Sequence, residues 1–393
     1  MPWKETSIMS ARMKFVMRLK AGERMTELCE EFGISRPTGY KFLKRYDDYG
    51  ADGLFDHSRK PKRLARSTSK KIEALILETK QTYPTWGAAK ILEILRRSDV
   101  AVDLPVRSTV HEILDRNGLV KSRLKRRKHL AVPTPLSIAS RPNQLWCTDF
   151  KGQFQMGNHQ YCYPLTITDY CSRFILGCEG MERISSRSVI NAFELVFREY
   201  GLPEAIRSDN GEPFSSRSLR GLSRLGVWFM RLGIRLERIE PGHPEQNGRH
   251  ERMHLTLKKE VTRPPGANIL QQQEMFDSWG EVFNHQRPHE ALDMQCPADR
   301  FINSVKPFPE ALSEPEYLRH DMTKTVLAGG KVHFAGKNRY FFLSETLSGQ
   351  KVGLIQEDDE LWRVSFMDID LGFLDSETMK FKPLEERLPL ITA

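Results

Sequence analysis

Gln144-Leu145-Trp146-Cys147-Thr148-Asp149-Phe150 is the stretch on which the fold turns. Trp146, Thr148 and Phe150 fall on one face and Leu145, Cys147, Asp149 and Lys151 on the other, the period of two expected of a strand. Asp149 is thus a carboxylate inside an apolar strand. An unpaired buried charge is costly, so an aspartate in such a place is normally paired or holds a cation. Moving outward, residues 160–169 and 173–179 read as two further strands. Residues 185–200 form an amphipathic helix with Val189, Ala192, Phe193, Val196 and Phe197 on one face. Residues 205–208 are a short strand that runs out into Asp209-Asn210-Gly211, a position from which side chains reach a site at the sheet's end. Glu251 lies where the loop Pro244-Glu245-Gln246-Asn247-Gly248 passes into a helix that runs to about Val261. Strands and helices in this order predict a mixed α/β sheet.

Upstream of Pro142 the pattern is helical throughout. Residues 9–20, 25–32 and 36–48 read as three short helices, and Phe32-Gly33-Ile34-Ser35-Arg36-Pro37 as the turn before the third. Gly33 permits the tight turn, Ser35 suits a cap and Pro37 a first helical turn. This is a helix-turn-helix pattern, with Arg36, Thr38, Lys41 and Lys44 on the helix expected in the major groove. Residues 68–80, 87–97 and 107–117 predict a second helical set. The run Lys121-Ser122-Arg123-Leu124-Lys125-Arg126-Arg127-Lys128 places six positive charges in eight residues ahead of a Pro-rich segment, as a linker tracking phosphates would.

Charge agrees with that reading. Residues 1–140 carry 29 Lys and Arg against 16 Asp and Glu, while the remaining 253 carry 31 against 35. The whole basic excess behind the net charge of +9 therefore sits in the first third, which points to a polyanion and, without an amphipathic anchor, to nucleic acid. No apolar run is long enough to span a bilayer, so no membrane partner is expected. Six cysteines without CxxC pairing argue for reduced thiols and a cytoplasmic location rather than a structural zinc site.

The three motifs Trp146-Cys147-Thr148-Asp149-Phe150, Ser208-Asp209-Asn210-Gly211 and the Pro-rich loop ending Asn247-Gly248-Arg249-His250-Glu251 together resemble bacterial insertion-sequence transposases. Their catalytic core is of the retroviral-integrase, ribonuclease-H-like type, with a DDE pattern. Asn284-His285-Gln286-Arg287-Pro288-His289 and the first helical module add to the resemblance, which covers most of residues 10–300. Matched residue by residue, it puts the catalytic and metal-binding acids at Asp149, Asp209 and Glu251, at intervals of 60 and 42. The second interval is long for the family, so Glu245 stays the rival to Glu251. The family's acid follows the loop glycine by three positions, as Glu251 follows Gly248.

The resemblance implies two Mg²⁺ ions, with Mn²⁺ able to substitute, Asp149 bridging both while Asp209 and Glu251 each hold one. Hard cations favour carboxylate oxygens, and two ions about 4 Å apart suit in-line displacement at phosphorus. His243, His250 and His254 are not needed for such chemistry. Gln246, Asn247 and Lys258 are candidate DNA contacts, while Arg287 and His289 serve equally well in the site or in packing. The partners implied are double-stranded DNA, as element ends and target, and a second copy of the chain in a homo-oligomer joining two ends, all in a bacterial, nucleoid-associated setting. A regulator that occupies the repeats without cutting is the rival function.

Beyond Pro307, residues 331–334, 338–343, 351–356, 361–366 and 369–374 alternate as short strands and predict a small SH3-like β-barrel. The acidic turn Glu357-Asp358-Asp359-Glu360 argues against DNA contact there. The fold expected is multidomain. Helix-turn-helix domains at 1–64 and 65–120 and a basic linker at 121–140 precede an integrase-type α/β catalytic domain at 141–303. A linker at 304–321 then leads to the barrel at 322–393.

Overall fold

The computed structural model describes residues 8–56, 68–98, 103–120, 136–216, 218–240 and 243–384. Met1–Thr68 is one compact unit and Ser69–Ala393 another. The basic run carrying Arg123, Lys125, Arg126, Arg127 and Lys128 lies outside the described residues.

The first unit holds helices α1 (Ile8–Lys20), α2 (Met25–Glu31) and α3 (Arg36–Tyr49), closed around Phe15, Val16, Leu28, Cys29 and Leu54. Gly33 takes a left-handed φ of 61° in the turn before α3, which a side chain would resist. Ser35 occupies the cap position, but its hydroxyl bonds Thr38 Oγ1 at 2.9 Å rather than a backbone amide. Arg36, Lys41 and Lys44 are exposed on α3, and Thr38 is half-buried.

In the second unit α4 (Lys70–Thr82), α5 (Ala88–Arg97) and α6 (Arg107–Arg116) pack through Ile72, Ile76, Ile91, Leu95, Val110 and Ile113. The central sheet follows as β1 (Trp146–Phe150), β2 (Phe154–Gln155), β3 (Tyr161–Asp169) and β4 (Ile175–Met181). β1 and β2 are separated by a break in which Gly152 has φ 84°. Helix α7 (Ser186–Tyr200) crosses to β5 (Ala205–Ser208), and α8 (Arg224–Arg231) to β6 (Arg235–Arg238). Ser185 and Ser223 cap α7 and α8 by accepting the Ser188 and Gly226 amides. β3 pairs antiparallel with β1, β2 and β4, whereas β1, β5 and β6 run parallel, giving a mixed sheet.

Alternation along β1 assigns the two faces. Trp146 joins Phe193, Phe197, Leu225 and Phe229 under α7 and α8, and each fully buried Phe there contributes about 2 kcal/mol. The opposite face is covered by α9 (Gly248–Glu260) and α10 (Ile269–Glu281), which pack Met253, Leu257, Phe276 and Trp279 onto Cys162, Ile175 and Cys178. Asp149 points to that second face.

The C-terminal segment corrects the barrel expected from its strand pattern. β7 (Met322–Thr325), β8 (Lys331–His333), β9 (Tyr340–Phe342), β10 (Lys351–Gln356), β11 (Leu361–Phe366), β12 (Ile369–Asp375) and β13 (Lys380–Pro383) form an open five-stranded sheet, ordered β13-β12-β11-β10-β7, and a separate β8–β9 pair. Closure would require β7 to meet β13 with tilted, staggered strands. Each of those edge strands has only four residues and one neighbour in the sheet. Burial is completed instead by the hairpin and by Val227 and Met230 of α8, which lie against Val352, Leu354 and Phe366 in one apolar cluster.

Candidate active site

The parallel register of β1 with β5 pairs Trp146 with Ile206 and Cys147 with Arg207. Two residues further along each chain stand Asp149, near the end of β1, and Asp209, the first residue past β5, at adjoining strand ends. Burial, then the Asp209 charge and more weakly that of Glu251, push the Asp149 carboxyl up to about 7 against the opposing pull of the Phe150 amide and Lys151. Burial also raises Asp209, whose Oδ1 accepts the Gly211 amide at 3.2 Å. Glu251 projects from the first turn of α9, exposed, where a carboxylate favours the helix dipole. Among the described residues no three His, Cys, Asp or Glu side chains converge closely enough to hold an ion. What the structure brings together is the Asp149–Asp209 pair, with Glu251 within electrostatic reach.

The histidines turn out to be scaffolding. His250 and His254 lie on the inner face of α9, four residues apart and 2% and 5% exposed. Thr166 Oγ1, opposite Asp149 on β3, meets His250 Nε2 and His254 Nε2 at 2.7 Å each, and Thr168 Oγ1 meets His250 Nδ1 at 3.0 Å. Thr166 has one hydroxyl hydrogen, so at least one imidazole donates through Nε2. His254 Nδ1 stands 3.8 Å from Asp149 Oδ2, but this is no ion pair, because burial, with His250 and Lys151 adding to it, holds that imidazole down to about 2. The apolar spacing His250, Met253, His254, Leu257 is the signal in the sequence that these rings face inward.

Burial also depresses His250 to about 3, and burial together with Lys90, Arg287 and Arg173 depresses His289 to about 3. Between pH 6.5 and 3 the unfolded chain takes up protons that the folded chain refuses, so stability falls with acid across that window. Each ring steepens the loss by about 1.4 kcal/mol per pH unit. Urea unfolding from pH 6.5 to 4.5 should therefore be shallower in pH for His289→Gln than for the wild type. Parallel profiles would rule out a neutral His289 in the folded chain.

The loop before α9 is tied down from beneath. Arg207 Nε donates to Glu237 Oε1 at 2.6 Å, with the two side chains 2% and 4% exposed. The same guanidinium donates to Ser137 O at 2.6 Å and Gln246 O at 3.3 Å. Gln246 and Asn247 are buried, and Gln246 Oε1 accepts the Glu240 amide at 2.7 Å. Direct DNA contact by these two side chains requires the loop to open. Lys258 is exposed two turns beyond Glu251 on the same side of α9. Arg287 is a packing residue. It donates to both oxygens of Glu260, at 2.7 and 2.9 Å, and its guanidinium lies 5.8 Å from the Trp86 ring of the second helical set.

Integrase core domain families match residues 139–244 and 232–297, spanning all three acids. The central region is a retroviral-integrase-type core. Helix-turn-helix modules precede it, with a helix-turn-helix family matching 11–62 and a homeodomain-like family 38–114. The chain is 28% identical over 181 residues, 46% of its length, to an uncharacterized 31.7 kDa protein of insertion element IS407 from Burkholderia multivorans. It is 25% identical over 234 residues, 59% of its length, to an uncharacterized 39.2 kDa protein of insertion element IS476 from Xanthomonas euvesicatoria. The matches span 63% and 65% of those relatives' own length. A solved HTLV-2 integrase catalytic core domain in complex with magnesium is 16% identical, with a TM-score of 0.32 over 41% of this chain and 97% of that one. Among the described residues no helix is long and apolar enough to cross a membrane.

Proposed function

We propose that this chain is a DNA transposase, a polynucleotidyl transferase that binds the terminal repeats of its element and cuts and rejoins DNA at Asp149, Asp209 and Glu251. The observation that carries the reading is the side-by-side placement of Asp149 and Asp209 at the ends of parallel strands, with the Glu251 helix laid over that face. Two half-buried carboxylates, both raised by burial and Asp149 raised further by the Asp209 charge, fit a hard divalent cation, which would neutralise them. The paired Asp149 and Asp209 would hold Mg²⁺ or Mn²⁺, with Glu251 completing the set once α9 draws closer to them, and the cation would supply activation of the attacking oxygen and stabilisation of the leaving one.

The chain's own residues set the stage for that chemistry. Thr166, His250 and His254 lock α9 to β3, so that Glu251 is presented beside the strand ends. Arg207 and Glu237 hold the segment that leads into α9. Arg36, Lys41 and Lys44 offer an exposed cationic face on the helix-turn-helix unit for the major groove. A second copy of the chain would be needed to bring two element ends together.

Joining of labelled duplexes copied from the DNA flanking the gene, with Mg²⁺ or Mn²⁺ and with EDTA, tests the reading. Cleavage and joining that require the cation are expected. Site-specific binding without any cleavage would overturn it in favour of a regulator.

A further inference from the structure

A cavity of about 490 Å³ lies on the flank of α9 away from Glu251, between that helix, β1, β3 and α5. Cys147 and Thr168 line it, so it borders the same face of β1 as Asp149, two residues back along the strand. Five cations converge on it: Lys90, Arg173, Arg249, Arg252 and Arg287. The two acids in its lining are already engaged. Asp169 accepts the amides of Asn143 and Ser172 and the Ser172 hydroxyl, and Glu290 pairs with Arg107 at 3.2 Å.

Two of the five cations have partners as well, Arg287 on Glu260 and Arg249 on Tyr170 O at 3.0 Å with its guanidinium 4.0 Å from the Tyr170 ring. Lys90, Arg173 and Arg252 have no acid partner among the described residues. Like charges held close together repel, and the site shows it. Burial, with Arg287 adding to it and Glu260 and Glu290 opposing, pushes the Lys90 ammonium down to about 7, while burial and then Arg249 and Arg252 lower Arg173. His289 adds a buried ring nitrogen, Nε2, without a hydrogen-bond partner. Several cationic side chains without an ion-pair partner beside an unsatisfied donor or acceptor describe a site that an oxyanion would complete.

We propose that this cavity seats the sugar-phosphate backbone of the DNA strand that passes Asp149, with Lys90, Arg173 and Arg252 as its phosphate ligands. The inference rests on the DNA-processing reading and extends it, because Lys90 belongs to the helical set before the catalytic sheet. That set would then complete the DNA path of the core.

The test is equilibrium binding of a long fluorescent duplex to the full chain in EDTA, titrated with salt. Each phosphate ligand removed should reduce the slope of log affinity against log salt by about 0.9. Arg252→Ala, at an exposed position, should lower the slope by one such step, and Arg173→Ala/Arg252→Ala by about two. Arg198→Ala, on α7 across the sheet and paired with Glu194, should match the wild type. A double-variant slope equal to that of Arg198→Ala overturns the proposal. Metal-dependent cleavage that survives Asp149→Asn would instead sink the catalytic reading and leave these slopes as they are.

Discussion

Asp149→Asn is expected to abolish metal-dependent cleavage and joining while leaving DNA affinity in EDTA within about twofold of the wild type. The amide matches the carboxylate in shape but carries no charge to hold a cation. Loss of a metal's transition-state stabilisation, several kcal/mol, lowers the rate on the order of a thousandfold or more. The same change should make the metal-free protein more stable in mild alkali. With its carboxyl raised to about 7, folded Asp149 keeps a proton that the unfolded chain releases, so wild-type stability declines as pH rises from about 4 through 7. Asn removes that decline. Thermal unfolding in EDTA at about pH 8 should give a melting temperature at or above the wild type's. Residual nicking by the purified variant would refute the assignment, and an unchanged pH profile would refute the buried charge.

Glu237→Ala should be among the most destabilising single changes in the second unit, at about 3–5 kcal/mol, because it strands the Arg207 guanidinium in the interior. Arg207 then keeps its bonds to Ser137 O and Gln246 O but loses its counter-charge. The paired change Arg207→Met/Glu237→Met removes both charges and should cost clearly less than the single one. Urea unfolding of the three proteins measures the difference. A loss below about 1 kcal/mol for Glu237→Ala, or an equal loss for the pair, would show that the ion pair is not what holds this corner. Cleavage should fall even in the folded fraction, since the segment leading to Glu251 hangs on the same guanidinium.

Much of the architecture is legible in local pattern. The helices expected at 9–20, 25–32 and 36–48 stand at 8–20, 25–31 and 36–49, and the strands expected at 351–356 and 361–366 stand at those residues. Periodicity reports which side chains share a face, and that is enough to place an element. It does not report what the element pairs with. The barrel expectation fails on that distinction: alternation marks five strands, misses β7 and β13, and says nothing of which edges meet. The histidines of α9 are likewise visible as a pair, while their partners Thr166 and Thr168 lie more than 80 residues away.

Asp149 is a carboxylate in an apolar strand, and the sequence by itself determined that much: its strand, its face and its anomaly, because alternation is written within seven residues. The tertiary structure decided the rest. A parallel pairing between strands 60 residues apart set Asp209 beside it, and the packing of α9 across that face brought Glu251 within its field. The same packing gathered Lys90, Arg173 and Arg252 from three separate elements into one cavity. Electrostatics depends on distance in space, and no local pattern encodes the distance between residues that only the folded chain makes neighbours.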